Sequence, residues 1–390
     1  MKNSILGICF ILAIILNLSS CSSPDQISKI DKITAEVTSK YAPDKRIAVF
    51  EAKATKDTDG KIKLTGKTNL KDAHAFLLDT LSSLNVQITD SIRLLPDATI
   101  GEKSWGLVTL SAAPLRKHPA YSAEMVSQAI MGTPVKVFEK QGGWYLIQTP
   151  DQYIGWINSS SISTQTTSEH EAWKKSDRYV YNQNGGSVQS EPNENSEPVS
   201  DLVLGCIFEM TGKSKSYLHV QFPDGRSGYV KAADCITFNQ WTSIQPVADK
   251  IIAEAKQLLG RPYLWGGTTT KGIDCSGFVK TAYYSQGVIL ARDASQQARY
   301  GEILDVSKFQ FQPGDLLFFG RNKNHITHVG MYIGNNHYIH SSGRVQINSF
   351  NPDDEDFSLA RKESLVSASR ILNSLDSEQI ISIKNHPWYN

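Results

Sequence analysis

The spacing of apolar and polar residues divides the chain into regions with different predicted elements. In the first hundred residues, helical spacing predicts helices over Gln26–Lys40 and Asn69–Leu84, with Asn69 as N-cap of the second. Three strand-like runs accompany them, RIAVFEA, KIKLTG and VQITDSIRLL, the first two joined by the turn-prone DTDG. The pattern predicts a small α+β module ending near Ile100, without a catalytic grouping.

The next region contains a diverged internal repeat. The stretch GTPVKVFEKQGGWYLIQTPDQYIGWI begins at Gly132, and GCIFEMTGKSKSYLHVQFPDGRSGYV begins 73 positions later, at Gly205 (205 − 132). Each copy has short alternating strands separated by Gly, Pro and Asp turns, which predicts a small β-barrel. The pair resembles tandem bacterial SH3-like domains, with the polar run Ser187–Pro198 as a long loop in the second.

Helical periodicity returns in the last region. The stretch PVADKIIAEAKQLLG predicts an amphipathic helix ended by Gly260, and CSGFVKTAYYSQG predicts a second helix from Cys275 to Gly287. Three strand-like runs follow, GDLLFFG, HITHVGMYIG and HYIHSS, and the GNN between the last two predicts a hairpin.

Length and composition set the broad class. A chain of 390 residues predicts two to four domains, and 40% hydrophobic with 20% charged residues is typical of a globular protein. The net charge of +1 argues against nucleic acid as the main partner.

The N-terminus has the features of a targeting segment. One lysine precedes an apolar run from Ile5 to Leu18, which is short of the roughly 20 residues of a spanning helix. The ending Leu18-Ser19-Ser20-Cys21 resembles the bacterial lipoprotein signal, which implies cleavage before Cys21 and a lipid on its thiol. We therefore expect a lipid-anchored protein on the periplasmic side of a bacterial membrane; the alternative is an ordinary signal peptide with an incidental cysteine.

Three cysteines remain beyond this segment: Cys206, Cys235 and Cys275. An oxidising compartment permits a disulfide between Cys206 and Cys235, but spacing alone leaves open whether they pair or stay as two core thiols. Either way Cys275 is an odd thiol.

Cys275 has the setting of a nucleophile. A helix that begins at this residue favours the thiolate and presents the Cys275 N–H to an oxyanion. His328 on a downstream strand is the candidate base, and His340 on the neighbouring strand is the candidate orienting group. A zinc site is the alternative, but one Cys and two His without paired spacing do not favour a metal. His325 and His337 are expected to be exposed and without a role.

The order of motifs resembles the NlpC-type family of papain-like cysteine peptidases. DCSGFV, HVGMYIGN and YIHSS carry the resemblance, together with RPYLWGG, RDASQQ and PGDLLFF, over about residues 250–345. It implies that Cys275 is the nucleophile, His328 the base and His340 the orienting residue, with no cofactor. It also implies hydrolysis of cell-wall peptides between γ-D-glutamate and a diamino acid.

The SH3-like pair before this domain makes the chain similar to γ-D-glutamyl-L-diamino acid endopeptidases, which read a free N-terminal L-Ala. The resemblance implies that Glu124 and Asp274 pair with the ammonium group of the substrate. The full set of substrate-binding residues that it implies is Glu124, Tyr153, Trp265, Asp274, Ser276 and Ser295.

The expected fold is multidomain α+β, with a papain-like NlpC-type domain after two SH3-like barrels and an N-terminal module. The expected boundaries are 1–21 signal peptide, 22–100 α+β module, 101–165 and 166–245 SH3-like domains, and 246–390 peptidase domain. The expected partners are the stem peptide L-Ala-γ-D-Glu-diamino acid and a membrane. Alternative functions are an endopeptidase of the intact wall, a non-catalytic peptidoglycan-binding protein, and an acyl transferase or lipid amidase. The diamino acid, diaminopimelate or lysine, is left open.

Overall fold

The computed structural model describes residues 23–390, so the predicted signal segment and Cys21 lie outside the described residues. The described chain forms two compact units, residues 23–45 with 49–94 and residues 46–48 with 95–390. Among the described residues, no helix combines the length and apolar character that a membrane span requires.

The first unit is the predicted α+β module. Its elements are α1 (Ser23–Tyr41), β1 (Phe50–Lys56), β2 (Ile62–Thr68), α2 (Lys71–Ser83) and β3 (Ile88–Leu94). Strand β2 lies between β1, its antiparallel hairpin partner, and β3, which is parallel because α2 makes the crossover. Ile30, Leu64 and Leu77 are fully buried in this unit.

Two local predictions in this unit are wrong. Asn69 is not the N-cap of α2; the cap position is Leu70, and the Asn69 side chain accepts a hydrogen bond from the Val49 N–H at 2.8 Å. The alternating run from Arg46 does not start β1, because the carbonyls of Arg46 and Ile47 accept bonds from Ile154 and Gln148. In both cases backbone groups form hydrogen bonds with partners that are distant in sequence. Local sequence patterns do not show such partners.

The repeat forms two seven-stranded barrels with the same topology. The first has the order β10-β4-β7-β8-β9-β5-β6 and the second β17-β11-β14-β15-β16-β12-β13. The strands of the first are β4 (Trp105–Val108), β5 (Ala113–Arg116), β6 (Met125–Ala129), β7 (Pro134–Gln141), β8 (Trp144–Gln148), β9 (Ile154–Asn158) and β10 (Ile162–Gln165). Those of the second are β11 (Arg178–Tyr181), β12 (Gly186–Gln189), β13 (Pro198–Leu202), β14 (Ile207–Ser214), β15 (Tyr217–Gln221), β16 (Ser227–Lys231) and β17 (Cys235–Thr237).

The repeat reaches further than the sequence match that revealed it. Every strand of the second barrel begins 73 positions after its counterpart in the first, from Trp105 and Arg178 onward (178 − 105). Helix α3 (Thr167–Lys174) joins the barrels, and α4 (Phe238–Thr242) follows the second. Each of these helices begins with a capping box after the last barrel strand, so the equivalence extends to the connections.

The peptidase region packs helices on one face of an antiparallel sheet of order β21-β26-β22-β23-β24-β25. Ile251, Phe278, Val329 and Ile339 belong to the core between them. Its helices are α5 (Ala248–Gln257), α6 (Cys275–Ser285), α7 (Ala294–Gln297) and α8 (Leu359–Ser364). Its strands are β18 (Thr268–Thr269), β19 (Gly272–Ile273), β20 (Val288–Leu290), β21 (Glu302–Leu304), β22 (Leu316–Asn322), β23 (His325–Gly334), β24 (His337–Ser342), β25 (Arg344–Ser349), β26 (Leu365–Arg370) and β27 (Ile380–Ser382).

The three cysteines of the described chain are all free thiols. Cys206 and Cys235 pack in the interior of the second barrel, and burial raises the pKa of each thiol to about 12. Sequence spacing left open whether Cys206 and Cys235 form a disulfide. In the structure they do not, and both are core thiols. Cys275 lies in the peptidase region and has a different environment.

Candidate active site

Helix α6 begins at Cys275, as the sequence predicts, because Asp274 caps it. Asp274 has an extended backbone, and its Oδ1 accepts a hydrogen bond from the Gly277 N–H at 2.7 Å. Such a cap satisfies one of the donors that a helix start leaves free. The N–H of Cys275 makes no hydrogen bond within the described residues, so it remains available to an oxyanion.

The glycine two positions after the cysteine is required by close packing. A Cβ atom on Gly277 would collide with the carbonyl oxygen of Gly267 in the loop that precedes the helix. The loop is tied to the helix start by the Asp274 N–H, which donates to the same carbonyl at 3.0 Å. Gly277 thus lets the YLWGG loop lie directly against the first turn of α6.

A network of buried polar side chains surrounds Asp274, the residue just before Cys275. The guanidinium of Arg292, which is 1% exposed, donates to Asp274 at 2.6 Å and to Ser276 and Ser127, each at 3.0 Å. Asp274 accepts further bonds from the Gly266 N–H and the Ser276 hydroxyl. Together with the bond from the Gly277 N–H, these contacts occupy the acceptor positions of both Asp274 carboxylate oxygens.

This network gives two of the predicted substrate-binding residues a structural role as well. The sequence resemblance implies that Asp274 and Ser276 bind the substrate. In the structure the Asp274 charge is compensated by Arg292, and the Ser276 hydroxyl both donates to Asp274 and accepts from Arg292. These side chains therefore also build the helix start that carries Cys275, and their contact with the substrate stays a prediction.

The cysteine sulfur lies between two backbone donors. The backbone N–H groups of Ser276 and Val329 favour its charged form, and Val329 follows His328 on β23. Burial, together with the charge of Asp274, nevertheless raises the Cys275 pKa to about 11. The expectation that the helix start favours the thiolate is therefore wrong for the free site, because the desolvation of the sulfur outweighs its donors.

The two predicted histidines form a hydrogen-bonded relay with a third residue, Asn348. His328 Nε2 lies 2.7 Å from His340 Nδ1, and His340 Nε2 lies 2.8 Å from Asn348 Oδ1. The Asn348 amide donates to the carbonyl of Asp356 at 2.6 Å, which turns its oxygen toward His340. Since β24 and β25 are paired and residues two apart share a face, His340 and Asn348 lie side by side.

This relay fixes the tautomers of both rings. Asn348 Oδ1 accepts a hydrogen bond from His340, so His340 carries its hydrogen on Nε2 and accepts a hydrogen bond at Nδ1. His328 therefore donates from Nε2, and its Nδ1 keeps a lone pair that can accept a proton. The structure thus brings His328 and His340, the predicted base and the predicted orienting residue, into hydrogen-bond contact.

The relay is enclosed by aromatic rings. The Phe319 ring lies 5.6 Å from His328, and the Tyr338 ring lies 5.2 Å from His340. Burial lowers the pKa of His328 well below its usual value and that of His340 to about 4; the charge of Arg361 lowers both further. Burial therefore favours the neutral form of both the Cys275 thiol and the His328 imidazole.

The first barrel supplies one rim of the site. Glu124 Oε1 accepts a hydrogen bond from the indole of Trp265 at 3.0 Å, and the indole is largely exposed, with 63% of Trp265 accessible. Gly266, at φ +76°, seats this loop on the barrel, since any Cβ there would collide with the carbonyl oxygen of Met125. Two predicted substrate residues, distant in sequence, are thus brought together.

The other two predicted residues lie near α7. Tyr153 is buried, and burial and the neighbouring charge of Asp293 raise the pKa of its hydroxyl. Ser295 accepts a hydrogen bond from Arg46 at 3.0 Å, and Arg46 also pairs with Asp293 at 2.8 Å. The charge of Asp293 therefore acts on the Tyr153 hydroxyl, while the Ser295 hydroxyl is a hydrogen-bond acceptor for Arg46.

Three residues at the site were missed as contributors by sequence reasoning: Arg292, Asp293 and Asn348. The first two belong to the RDASQQ motif, but nothing local shows that the guanidinium is buried under Asp274. Asn348 had a usable signal, because it lies on the strand after His340 and shares its face.

One group of potential metal ligands occurs in the described part of the chain, formed by His337, Asp354 and Asp356. It lies outside the cysteine and histidine relay. Asp354 already accepts bonds from Ser349 and Asn351.

Comparison with known proteins places this geometry in a family. The model of the NlpC/P60 family matches residues 260–357, and that of the bacterial dipeptidyl-peptidase Sh3 domain matches residues 115–162. A gamma-D-glutamyl-L-lysine dipeptidyl-peptidase of Bacillus cereus strain ATCC 10987 is 30% identical over 288 residues, covering 70% of this chain and 84% of that protein. Dipeptidyl-peptidase 6 of Lysinibacillus sphaericus is 28% identical over 274 residues, 66% of this chain and 94% of that one.

The fold agrees with these matches. A solved NlpC/P60 family protein from Bacillus cereus ATCC 10987 superposes with a TM-score of 0.60 at 25% identity, over 69% of this chain and 100% of that one. The predicted family and fold class are confirmed. On these similarities, this chain belongs to the NlpC/P60 family of cysteine peptidases.

Proposed function

We propose that the chain hydrolyses the γ-D-glutamyl–diamino acid bond of cell-wall peptides that carry a free N-terminal L-Ala. The observation that carries the proposal is the Glu124–Trp265 contact, which puts a barrel carboxylate at the rim of the site. The two relatives, a gamma-D-glutamyl-L-lysine dipeptidyl-peptidase and dipeptidyl-peptidase 6, support the same reaction.

Acylation starts from the neutral pair. As the Cys275 sulfur attacks the γ-carbonyl carbon, its proton moves to Nδ1 of His328, and the carbonyl oxygen becomes an oxyanion at the Cys275 N–H. The imidazolium is stabilised through its Nε2–H by His340, which Asn348 holds in place. Because burial lowers the pKa of His328, the imidazolium readily gives its proton up again.

Collapse of the tetrahedral intermediate breaks the carbon–nitrogen bond. His328 returns its proton to the departing amine of the diamino acid, and L-Ala-γ-D-Glu stays on Cys275 as a thioester. Water then attacks the thioester carbonyl with His328 as base, which releases the dipeptide and restores the thiol.

The positive charge of the L-Ala ammonium group explains why the enzyme would select a free N-terminus. Arg292 compensates the charge of Asp274 in the interior, whereas Glu124 lies at the rim, where its Oε2 pairs with the exposed Lys117 at 3.4 Å, so Glu124 is the accessible carboxylate that we expect to pair with the ammonium of L-Ala. In the intact wall this nitrogen is an amide linked to muramic acid and carries no charge. The proposal therefore favours released peptides over wall strands, the alternative substrate.

The test is digestion of L-Ala-γ-D-Glu-diaminopimelate and L-Ala-γ-D-Glu-L-Lys, each free and N-acetylated, with products identified by mass. We expect L-Ala-γ-D-Glu and the free diamino acid from the unblocked peptides, and no product with Cys275→Ala. Cleavage of acetylated and free peptides at equal rates would make the protein a wall endopeptidase, and no cleavage by wild type would reject the activity.

Location is a separate part of the proposal: the chain is anchored by a lipid on Cys21 at the periplasmic side of a membrane. It is supported by the apolar run that ends in Leu18-Ser19-Ser20-Cys21. More than one acyl chain is needed for stable anchoring. Metabolic labelling with a fatty acid should mark wild type and not Cys21→Ser; an unlabelled wild type in the soluble fraction would contradict the anchor.

A further inference from the structure

A short segment from the N-terminal part of the chain contacts the active-site region. Residues 46–48 lie in sequence between two parts of the first unit, but they belong to the second unit, with the barrels and the peptidase region. The Arg46 carbonyl accepts a hydrogen bond from the Ile154 N–H at 2.7 Å, and the Ile47 carbonyl accepts one from the Gln148 amide at 3.1 Å. The segment is therefore fixed along the turn between β8 and β9 of the first barrel.

The side chain of Arg46 connects this turn to the start of α7. Its guanidinium donates to the Asp293 carboxylate at 2.8 Å and to the Ser295 hydroxyl at 3.0 Å. The side chains of Arg46 and Asp293 are 31% and 28% exposed, so solvent reaches this pair. One residue from the N-terminal part of the chain thus joins the first barrel to the RDASQQ motif of the peptidase region.

Arg46 is the outer member of a row of alternating charges that ends beside the nucleophile. Asp293 comes next, with its Oδ1 3.8 Å from the Arg292 guanidinium. Arg292 in turn donates to Asp274 at 2.6 Å, and Asp274 caps the helix that begins at Cys275. Three consecutive ion pairs therefore link a partly exposed arginine to the start of this helix.

The two carboxylates of the row face the same guanidinium. The Nη1 atom of Arg292 lies 3.8 Å from Asp293 Oδ1, and the same atom donates to Asp274 Oδ1 at 3.3 Å. Burial raises the pKa of Asp293, and the charges of Arg292 and Arg46 both act in the opposite direction. An arginine on the far side of Asp293 therefore compensates this carboxylate without drawing Arg292 away from the helix start.

We propose that Arg46 is a positioning residue of the active site: by pairing with Asp293, it keeps the Arg292 guanidinium at the start of the helix that carries the nucleophile. In this role Arg46 acts through Asp293 and not on the reacting atoms. The inference rests on the proposed function, because its effect is measured on that reaction. The two family models match residues 115–162 and 260–357, so Arg46 lies outside both, and its role is inferred from the contacts of this chain.

The experiment measures kcat/KM on L-Ala-γ-D-Glu-diaminopimelate or L-Ala-γ-D-Glu-L-Lys, whichever wild type cleaves faster. Arg46→Gln removes the charge and keeps a hydrogen-bond donor, and we expect a loss of roughly three- to fivefold, because solvent screens the partly exposed pair. Arg46→Lys keeps the charge and should recover most of this loss. Lys45→Gln removes the neighbouring positive charge at an exposed position outside the row, so it is the matched control and should equal wild type.

A double-mutant cycle distinguishes this role from a merely structural one. Asp293→Asn removes the carboxylate that Arg46 compensates, while asparagine can still cap α7. If Arg46 acts through this carboxylate, Arg46→Gln should cause no further loss in the Asp293→Asn background, whatever activity Asp293→Asn itself retains. A brace that only joins two parts of the fold gives no reason for this dependence on the charge of Asp293.

Three results would each overturn this inference and leave the peptidase activity standing. The first is wild-type kcat/KM in Arg46→Gln, and the second is an equal loss in Lys45→Gln or in Arg46→Lys. The third is a loss by the same factor when Arg46→Gln is made in the Asp293→Asn background as in wild type. Failure of wild type to cleave either tripeptide would overturn the proposed function and this inference with it.

Discussion

At the scale of single residues, the relay shows how one amide sets the protonation of two rings. Asn348 is fixed by the carbonyl of Asp356 and in turn orients His340. The relay therefore depends on a residue that touches neither the sulfur nor the substrate. Its role is positional, and it predicts a loss of turnover without a loss of binding.

Asn348→Leu removes the acceptor at His340 Nε2 and frees the tautomers of both rings. We expect kcat to fall roughly 10- to 100-fold, with KM little changed, because the thiol proton no longer has one fixed acceptor. His340→Ala should be more severe, and Asn348→Gln should retain part of the activity. Steady-state kinetics on the free tripeptide would check this, and a rise in KM with unchanged kcat would argue against a positional role.

The pH profile follows from the directions of the pKa shifts. The competent form needs neutral His328, and burial lowers its pKa well below 6.5, so kcat/KM should persist on the acid side of pH 6.5. The Cys275 pKa of about 11 adds no alkaline limb in the working range. Activity should instead fall above about pH 8, where the substrate amine loses its proton.

This profile is measured as kcat/KM against pH with the free tripeptide. An acid limb at or above pH 6.5 would show that His328 is less desolvated than the structure indicates. A rise in kcat/KM with pH between 7 and 9 would point to thiolate formation and contradict the neutral pair.

At the scale of elements, the start of α6 depends on contact between two backbones. Gly277→Ala forces the Gly267 carbonyl away from the first turn, and strain of this kind costs about 1–3 kcal/mol of unfolding free energy. Since the loop positions Asp274 and Trp265, activity should fall as well. Gly185→Ala, at a glycine with nothing within 4 Å of the added Cβ, is the control.

Urea unfolding and kcat/KM together check this prediction. We expect the control to match wild type in both measurements. A Gly277→Ala protein with wild-type stability and activity would mean that the loop moves freely and that the close approach is incidental.

Local patterns predicted the elements of the site better than its polar contacts. The N-terminus of α6 and both ends of β23 and β24 agree with the sequence prediction, because capping, hairpin and alternation signals are local. Arg292 could not be placed, since its partners Asp274 and Ser127 are 18 and 165 positions away in sequence. The pKa of Cys275 was predicted in the wrong direction because burial depends on tertiary packing.

At the scale of the whole molecule, the two barrels have the same topology but different contacts. Glu124 and Glu197 occupy equivalent positions, and so do Tyr153 and Arg226. In the first barrel Glu124 meets the peptidase loop. In the second, Arg226 donates to the Thr109 carbonyl at 3.0 Å, while Asp201 accepts from Ser111 at 2.8 Å and pairs with Lys271. The second barrel thus holds the first barrel and the peptidase region together.

This duplication supplies a matched control for the role of the first barrel. Glu124→Gln keeps an acceptor for the Trp265 indole but removes the charge that pairs with the L-Ala ammonium. The Glu124 side chain is 42% exposed, so solvent screens the pair. We expect kcat/KM on the free tripeptide to fall roughly 5- to 30-fold, equivalent to about 1–2 kcal/mol.

Glu197→Gln makes the same change in the second barrel and should have no effect on hydrolysis, since the structure gives Glu197 no contact with the site.

Trp265→Phe keeps an aromatic ring but removes the hydrogen bond to Glu124. If charge matters more than the rim contact, kcat/KM should fall less in Trp265→Phe than in Glu124→Gln. Wild type should cleave the N-acetylated peptide far more slowly than the free one, and the ratio of the two rates should shrink in Glu124→Gln. If that ratio stays at the wild-type value in Glu124→Gln, the Glu124 carboxylate does not bind the ammonium group, and the first barrel only forms one wall of the site.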